Sequence, residues 1–200
     1  MSRLTLIVAA TKSNGIGLNG GLPWRLPKEM AYFAKATTHA PEGSTNRVIM
    51  GRNTWDSIPA KFRPLPNRHN TVLSRSSSFT VEGATAEIAS SLNAALGSPS
   101  STHIHRTFII GGSTLYNESL ALEASATAPF VDRILMTRVL DPAYEECDVH
   151  FPDFAADSEW KRTSHEDLEG WLGFEVPQGI QEEKGVKYEF QMWVRYCSAG

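Results

Sequence analysis

The sequence predicts an α/β fold: a mixed, mostly parallel twisted sheet flanked by helices, with an antiparallel strand at the end of the chain. Two patterns support this prediction. Short apolar runs alternate with segments of helical character, which is typical of a parallel sheet that is covered on both faces. From Val186 to Tyr196 apolar residues instead alternate with mostly polar ones, and this period of two indicates an antiparallel strand with one wet face.

The elements follow in order along the chain. The predicted strands are Leu4–Ala10, Arg47–Met50, Asn70–Ser74, Thr107–Ile110 and Arg133–Val139. The predicted helices are Lys28–Thr37, Thr54–Ile58, Ser91–Leu96 and Thr114–Leu122. Glu183–Gly185 predicts a turn and Ser98–His105 a loop. Since the 200 residues contain no repeat and no linker, we expect a single domain over residues 1–200.

Composition narrows the function classes. With 41% hydrophobic and 20% charged residues and a net charge of −3, the chain is typical of a globular protein, and neither membrane nor specific nucleic-acid binding is expected. The two cysteines, Cys147 and Cys197, and the six histidines show no metal-binding spacing. We therefore expect no metal and a reducing, cytoplasmic location.

Charge is distributed unevenly along the chain. Residues 47–75 contain six basic residues and one acid, whereas residues 141–184 contain thirteen acids and three basic residues. This pattern fits either two solvated faces or a basic region that receives a small polyanion, and the composition leaves both interpretations open.

Glu29 is the first candidate functional residue. At ~100° per residue, the predicted helix places Met30, Phe33, Ala36 and Thr37 on one face, with Glu29 on the same side. A carboxylate buried there must be paired, protonated or used in chemistry. The alternative is a partly exposed first-turn glutamate that complements the helix dipole.

The segment just before this helix is rich in glycine. Asn14–Trp24 contains four glycines and several apolar side chains. It is either a mobile lid that excludes water from a reaction or an ordinary glycine-rich turn.

Three further segments are candidate anion sites. In Val48–Trp55 and in Ile109–Tyr116 a strand meets glycine and then a helix, whose first N–H groups can bind phosphate. Leu73–Ser76 places hydroxyls around Arg75, which suits the additional phosphate of a phosphorylated dinucleotide. Arg68, at the end of a proline-rich loop, can grip a carboxylate through two hydrogen bonds. Structural strand–helix junctions and a solvated arginine remain the alternatives.

Taken together and in this order, these segments resemble the dihydrofolate reductase family over nearly the full chain. The motifs that carry the resemblance are Gly15–Trp24, Val48–Trp55, Ile109–Tyr116 and Gln181–Tyr188. A glutamate at the acid position and the long loops are similar to the eukaryotic branch of the family.

The resemblance implies an activity. NADPH would give a hydride to C6 of 7,8-dihydrofolate while N5 takes up a proton, which supplies tetrahydrofolate for one-carbon metabolism. Glu29 would hold the pterin by N3 and the 2-amino group and favour protonation of N5, with support from the Thr137 hydroxyl. Leu22 and Trp24 complete the implied catalytic group. The family also implies a monomer that binds antifolate inhibitors, and a cis bond between Gly111 and Gly112.

The implied binding residues form two sets. The substrate set is Val8, Ala9, Glu29, Met30, Phe33, Ile58, Leu65, Arg68, Ile110 and Thr137, where Arg68 would bind the α-carboxylate of the glutamate tail. The cofactor set is Ala10, Ile16, Gly17, Leu18, Asn19, Gly20, Gly21, Leu22, Gly51, Arg52, Asn53, Thr54, Leu73, Ser74, Arg75, Ser76, Ile110, Gly111, Gly112, Ser113, Thr114, Leu115 and Tyr116.

Two departures from the family pattern stand out. Ala89–Ser91 replaces a stretch in which some relatives carry a further arginine, so we expect a weaker preference for NADPH over NADH. Arg25–Pro27 is one residue shorter than in the vertebrate-like version, which could alter the entry to the Glu29 helix.

Two alternatives share this architecture. A riboflavin-pathway reductase would lack the buried acid and the Arg68 clamp. A non-catalytic nucleotide- or RNA-binding relative would have no need of Glu29, Thr137 and Arg68 together.

Overall fold

The computed structural model describes residues 3–97 and 103–196 of the chain. The strands are β1 Arg3–Thr11, β2 Gly15–Gly17, β3 Thr45–Gly51, β4 Arg68–Leu73, β5 Ala86–Ala89, β6 Ile104–Ile109, β7 Phe130–Asp141, β8 Val149–His150, β9 Trp160–Arg162, β10 Gln181–Glu183 and β11 Val186–Arg195. The helices are α1 Pro27–Thr38, α2 Arg52–Ser57, α3 Leu92–Gly97, α4 Ser113–Leu120 and α5 His165–Leu172, with a 3₁₀ turn at Ala60–Phe62.

Within these residues nine strands form one sheet in the order β10-β11-β7-β1-β6-β3-β4-β5, and β9 pairs with β11. β7, β1, β6, β3, β4 and β5 run parallel to one another. β11 runs antiparallel to β7, and β10 and β9 run antiparallel to β11. The predicted mixed sheet with an antiparallel C-terminal strand is therefore confirmed.

Apolar side chains on both faces of the sheet explain why the central strands are continuous apolar runs. In β1, Leu6 and Val8 pack into one core cluster, while Ile7 packs into the other. The first of these clusters includes Leu115 of α4, and the second includes Tyr32 of α1. Helices on both faces thus bury successive residues of the same strand.

Several short elements were not predicted from the sequence, although one of them, α5, has a recognisable start signal. α5 begins with a capping box, in which the Ser164 hydroxyl accepts the Asp167 N–H and the Asp167 carboxylate accepts the Ser164 N–H. This Ser-x-x-Asp pattern is a known helix-start signature. The predicted loop Ser98–His105 was wrong at its end, because Ile104 pairs with Thr45 and begins β6; residues 98–102 and Cys197 lie outside the described residues.

No helix in residues 3–97 or 103–196 is long and apolar enough to cross a membrane. No group of three or more histidine, cysteine, aspartate or glutamate side chains there is arranged to hold a metal ion.

The glycine-rich segment after β1 is held against the acidic part of the chain. β2 pairs antiparallel with β8, and the Asn19 N–H donates to the Asp148 carboxylate at 3.0 Å. A Cβ atom added at Gly15 would lie 2.7 Å from both Cβ and Sγ of Cys147, and one at Gly17 would lie 3.2 Å from Cβ of Val149. These two glycines therefore permit close packing, and mobility of the segment remains a prediction.

We expect Gly15→Ala to destabilise the protein by about 1–3 kcal/mol, because the new methyl group would overlap Cys147 in a packed position. Thermal unfolding measures the loss. Gly170→Ala is the matched control. It lies within α5 with open space around it, so it should be neutral or stabilise by up to about 1 kcal/mol. An unchanged melting temperature for Gly15→Ala would contradict the close packing.

Candidate active site

A cleft of about 1520 Å³ lies where the parallel strands end. Its walls include the ends of β1, β3, β4 and β6, together with α1 and the first residues of α2 and α4. Open α/β sheets bind ligands at this edge, because the loops that follow parallel strands gather there.

Glu29 projects from the first turn of α1 into this cleft. The residue is 6% exposed, and the Thr137 hydroxyl donates a hydrogen bond to its Oε1 at 2.9 Å. Burial raises the pKa of Glu29 from 4.5 to about 7; the Thr137 hydrogen bond opposes this shift, and the negative charge of Glu183 adds to it. A carboxyl group with such a pKa can both accept hydrogen bonds and hold a proton near neutral pH.

The buried face of α1 differs in part from the predicted one. Ala36 and Thr37 are buried as expected, but Tyr32 is also buried, whereas Met30 is half-exposed. Met30 and Phe33 line the open cleft, so their apolar side chains face space that a ligand can fill.

Further apolar surface and one unpaired donor face the same space. Leu22 and Phe62 are each more than half exposed although both line the cleft. The Trp24 indole N–H, also in the cleft wall, is buried without a hydrogen-bond partner among the described residues. An exposed apolar wall with a few polar groups is typical of a small-molecule site.

Arg68 lies at the far end of α1 from Glu29. It is the first residue of β4 and only 4% exposed; its Nη1 donates to the Thr37 hydroxyl at 2.8 Å and its Nε to the Pro66 carbonyl at 3.0 Å. Burial lowers its pKa to about 10. No carboxylate pairs with it in the part of the chain that the structure describes, and a buried unpaired cation is costly. The cleft at this point therefore suits an anionic ligand group.

Two helix starts lie side by side at the opposite end of the cleft. α2 follows Gly51 and α4 follows Gly112, and neither start has a side-chain cap. The Gly51 N–H donates to the Gly111 carbonyl at 2.8 Å, which holds the two starts together. The predicted cis bond between Gly111 and Gly112 is confirmed. The first N–H groups of both helices are thus free to bind phosphate.

Serines on both sides of Arg75 in the sequence, and two more from the neighbouring strand, line the cleft. Ser74 and Ser76 follow β4, and Ser90 and Ser91 follow the adjacent β5. Parallel pairing of β4 with β5, and the Ser74 N–H that donates to the Ala89 carbonyl at 3.0 Å, bring the two segments together. The stretch Ala89–Ser91 therefore supplies hydroxyls to the cleft wall.

Most of the predicted residues meet at the cleft. Those that line it are Val8, Ala9, Ile16, Gly17, Gly20, Gly21, Leu22, Trp24, Glu29, Met30, Phe33, Gly51, Arg52, Asn53, Thr54, Ile58, Leu65, Arg68, Leu73, Ser74, Arg75, Ser76, Ile110, Gly111, Gly112, Ser113, Thr114, Leu115 and Tyr116. Thr137 lies behind Glu29.

Three predicted cofactor residues lie outside the cleft walls. Ala10 is fully buried in one of the two core clusters. Leu18 and Asn19 belong to the turn of the glycine-rich segment Asn14–Trp24, where Leu18 bridges to Gly21 and the Asn19 N–H donates to the Asp148 carboxylate.

The cleft also contains residues that the sequence analysis missed: Ile7, Arg25, Ala34, Ser57, Pro59, Phe62, Pro66, Ser90, Ser91, Glu118 and Val149. Ala34 could have been predicted from helical spacing, because it lies one turn after Met30 on the same helix. The place of Val149 in the cleft wall depends on the pairing of β2 with β8, which no local sequence pattern indicates.

Comparisons with known proteins agree with this geometry. The family model described as "Dihydrofolate reductase" matches residues 3–175. The chain is 46% identical to dihydrofolate reductase of Cryptococcus neoformans var. neoformans serotype D, covering 96% of this chain and 94% of that protein. It is 44% identical to dihydrofolate reductase of Pneumocystis carinii, covering 96% of each. The solved structure of Schistosoma mansoni dihydrofolate reductase matches 97% of this chain and 98% of its own, with a TM-score of 0.78 and 34% identity.

This chain belongs to the dihydrofolate reductase family, and its matched relatives come from eukaryotes. The resemblance drawn from the sequence motifs is confirmed. The riboflavin-pathway reductase and the non-catalytic relative are not favoured.

The raised pKa of Glu29 predicts a specific dependence of stability on pH. The folded protein holds this proton more tightly than the unfolded chain does, so stability is lost as pH rises from the ordinary pKa of 4.5 through about 7. Glu29→Gln has no carboxyl to ionise, and its amide oxygen can still accept the Thr137 hydrogen bond. At pH 8 it should be more stable than the wild type by up to about 3 kcal/mol.

This difference should disappear near pH 4.5, where the carboxyl is protonated in the folded protein. Denaturant unfolding of both proteins across this range measures it, and effects of pH on other groups cancel in the comparison. A stability difference that does not vary with pH would contradict the assignment.

Proposed function

We propose that this protein catalyses the NADPH-dependent reduction of 7,8-dihydrofolate to 5,6,7,8-tetrahydrofolate. The observation that carries the proposal is the Glu29 carboxyl, buried at the cleft, hydrogen-bonded to Thr137 and with a pKa of about 7. Names of the matched relatives and the family description support the same activity.

Glu29 would bind and orient the pterin ring. A carboxylate can accept two N–H groups of the ring at once, which fixes the ring plane in the cleft. Because the carboxyl also holds a proton near neutral pH, it would favour protonation of N5, directly or through water. Thr137 would keep the carboxyl in the required rotamer, and Leu22 and Trp24 would close the site over the ring and exclude water.

Arg68 would bind the α-carboxylate of the glutamate tail. α1 supports both ends of this ligand, since Glu29 lies in its first turn and Thr37, which holds Arg68, in its last. Eight residues of helix separate them by roughly 12 Å. Between them, apolar side chains of the cleft would contact the aminobenzoyl group; these are Met30, Phe33, Ile58, Phe62 and Leu65.

NADPH would bind at the opposite end of the cleft from Arg68. The uncapped starts of α2 and α4 would bind the pyrophosphate, with Arg52 adding positive charge. Ser74, Arg75 and Ser76 would hold the 2′-phosphate. When bound, NADPH supplies the hydride. Because the residues that would hold the 2′-phosphate are one arginine and neutral hydroxyls, we infer a weaker preference for NADPH over NADH than in relatives with a second arginine in this stretch.

We also infer a single domain that works as a monomer and binds antifolate inhibitors. Its sheet draws strands from residue 3 to residue 195, and one chain supplies every residue assigned above.

Purified protein should oxidise NADPH only when dihydrofolate is present, which the loss of NADPH absorbance measures. Glu29→Gln should lose about 100-fold or more of the rate near neutral pH. The loss should be smaller near pH 5, where solvent can protonate the substrate. A well-folded wild type without dihydrofolate-dependent oxidation would refute the proposed function, and a variant with wild-type rate at every pH would refute the role of Glu29.

Arg68→Ala should weaken folate binding by about 1.5–3 kcal/mol, because it removes a charge-assisted contact with the tail carboxylate. Fluorescence titration measures the affinity. A pterin without the glutamate tail is the control, and its affinity should change little. Equal losses for both ligands would show that Arg68 acts through the fold alone.

A further inference from the structure

The start of α1 has no cap from its own neighbourhood. Leu26 occupies the N-cap position without a side-chain hydrogen bond, and Pro27 follows it. Since the first N–H groups of a helix have no partner within the helix, an external acceptor stabilises such a start. Glu183 supplies one, because both of its carboxylate oxygens accept the Lys28 N–H, at 3.1 and 3.0 Å.

The position of Glu183 is fixed by a tight hairpin. It is the last residue of β10 and pairs with Val186 across Lys184 and Gly185. These two turn residues have φ of 51° and 77°, the left-handed conformation that two-residue hairpins favour. The Tyr188 hydroxyl also lies 3.5 Å from Oε2 of Glu183. The carboxylate therefore extends from the last residue of an edge strand, directly before the hairpin turn.

The same sheet holds both partners of the α1 start. β11 joins β10 to β7, and Phe190 of β11 pairs with Thr137 of β7. Lys28, which Glu183 caps, directly precedes Glu29, which Thr137 contacts. The first turn of α1 is thus attached to the sheet at two adjacent residues, by two contacts from distant parts of the sequence.

Glu183 also acts on Glu29 through its charge. The negative charge of Glu183 raises the pKa of Glu29, although burial contributes more. The other titratable groups that face Glu29 are Tyr32, Tyr116 and Tyr188, whose pKa values are raised, mainly by burial, so that they stay neutral near pH 7. Within the described residues, Glu183 is the charged group that influences this carboxyl.

We propose that Glu183 is a positioning residue for the reaction: it anchors the first turn of α1 to the β10–β11 hairpin and so sets the place and the electrostatic surroundings of Glu29. This inference rests on the proposed function, in which Glu29 supports protonation of the pterin.

The test compares three variants by their pH–rate profiles, kcat, KM for dihydrofolate and Tm. Glu183→Gln keeps an acceptor for the Lys28 N–H and removes the charge. Glu183→Ala removes both. Glu182→Gln is the matched control, because Glu182 is exposed and adjacent residues of a strand point to opposite faces.

For Glu183→Gln we expect the fall in kcat at alkaline pH to move to lower pH by about half a unit, because Glu29 loses its proton more readily when the nearby charge is gone. KM for dihydrofolate and Tm should stay close to wild type. Glu183→Ala should show the same shift, a several-fold lower kcat at every pH, and a lower Tm, because the helix start has lost its cap. Glu182→Gln should match wild type in all four quantities.

The inference is overturned if both Glu183→Gln and Glu183→Ala keep the wild-type pH profile. A lower Tm for Glu183→Ala would not rescue it, because a purely structural helix cap would lower Tm without changing the pH profile. If Glu183→Ala does not fold, Glu183→Gln decides the matter alone. Failure of the proposed function is distinct, since it would leave the wild type itself without dihydrofolate-dependent oxidation.

Discussion

Placing a carboxyl group among apolar side chains costs several kcal/mol unless the group is hydrogen-bonded or protonated, and Glu29 meets both conditions. The Thr137 hydroxyl supplies one hydrogen bond, and burial holds the proton to about pH 7. β7 places Thr137 behind the cleft, α1 carries Glu29 to it, and the glycine-rich segment Asn14–Trp24 contributes to the same cleft wall. The fold around the cleft therefore shields the Glu29 carboxyl from solvent and also gives it a hydrogen-bond partner.

The remaining polar groups divide the cleft into regions of distinct chemistry. Arg68 places a buried positive charge at one end, and the uncapped helix starts after Gly51 and Gly112 present N–H groups at the other. Both ends suit anions, while apolar walls lie between them. An elongated ligand with a terminal carboxylate and a phosphate-bearing cofactor can then meet near Glu29, where hydride transfer needs close contact and little water.

The sequence predicted the parts of this arrangement that have strong local patterns. Apolar runs located the central strands, and alternation located β11. The resemblance to the family, rather than spacing, pointed to Thr137 as the partner of Glu29. Strands of two to four residues, such as β5, β8 and β9, were missed because they are too short for a period to emerge. α5 could have been found from its capping box.

Local sequence patterns do not predict the contacts that position the site. Glu183 caps Lys28 across 155 residues, and Cys147 limits Gly15 to a residue without a side chain. Ala10, which the resemblance assigns to the cofactor set, is fully buried in a core cluster and lies outside the cleft walls. Such relations depend on how distant segments meet, which one sequence does not encode in any short window.

The central claim is that Glu29 holds a proton near neutral pH because burial in the cleft disfavours its charged form, although the Thr137 hydrogen bond opposes this effect. Direct titration of its side-chain carboxyl by ¹³C NMR, with the resonance assigned by its loss in Glu29→Gln, tests this claim. A midpoint near pH 7 is the predicted result. A midpoint close to the ordinary value of 4.5 would contradict it, because the carboxyl would then be ionised and solvated at the pH where the enzyme is expected to work.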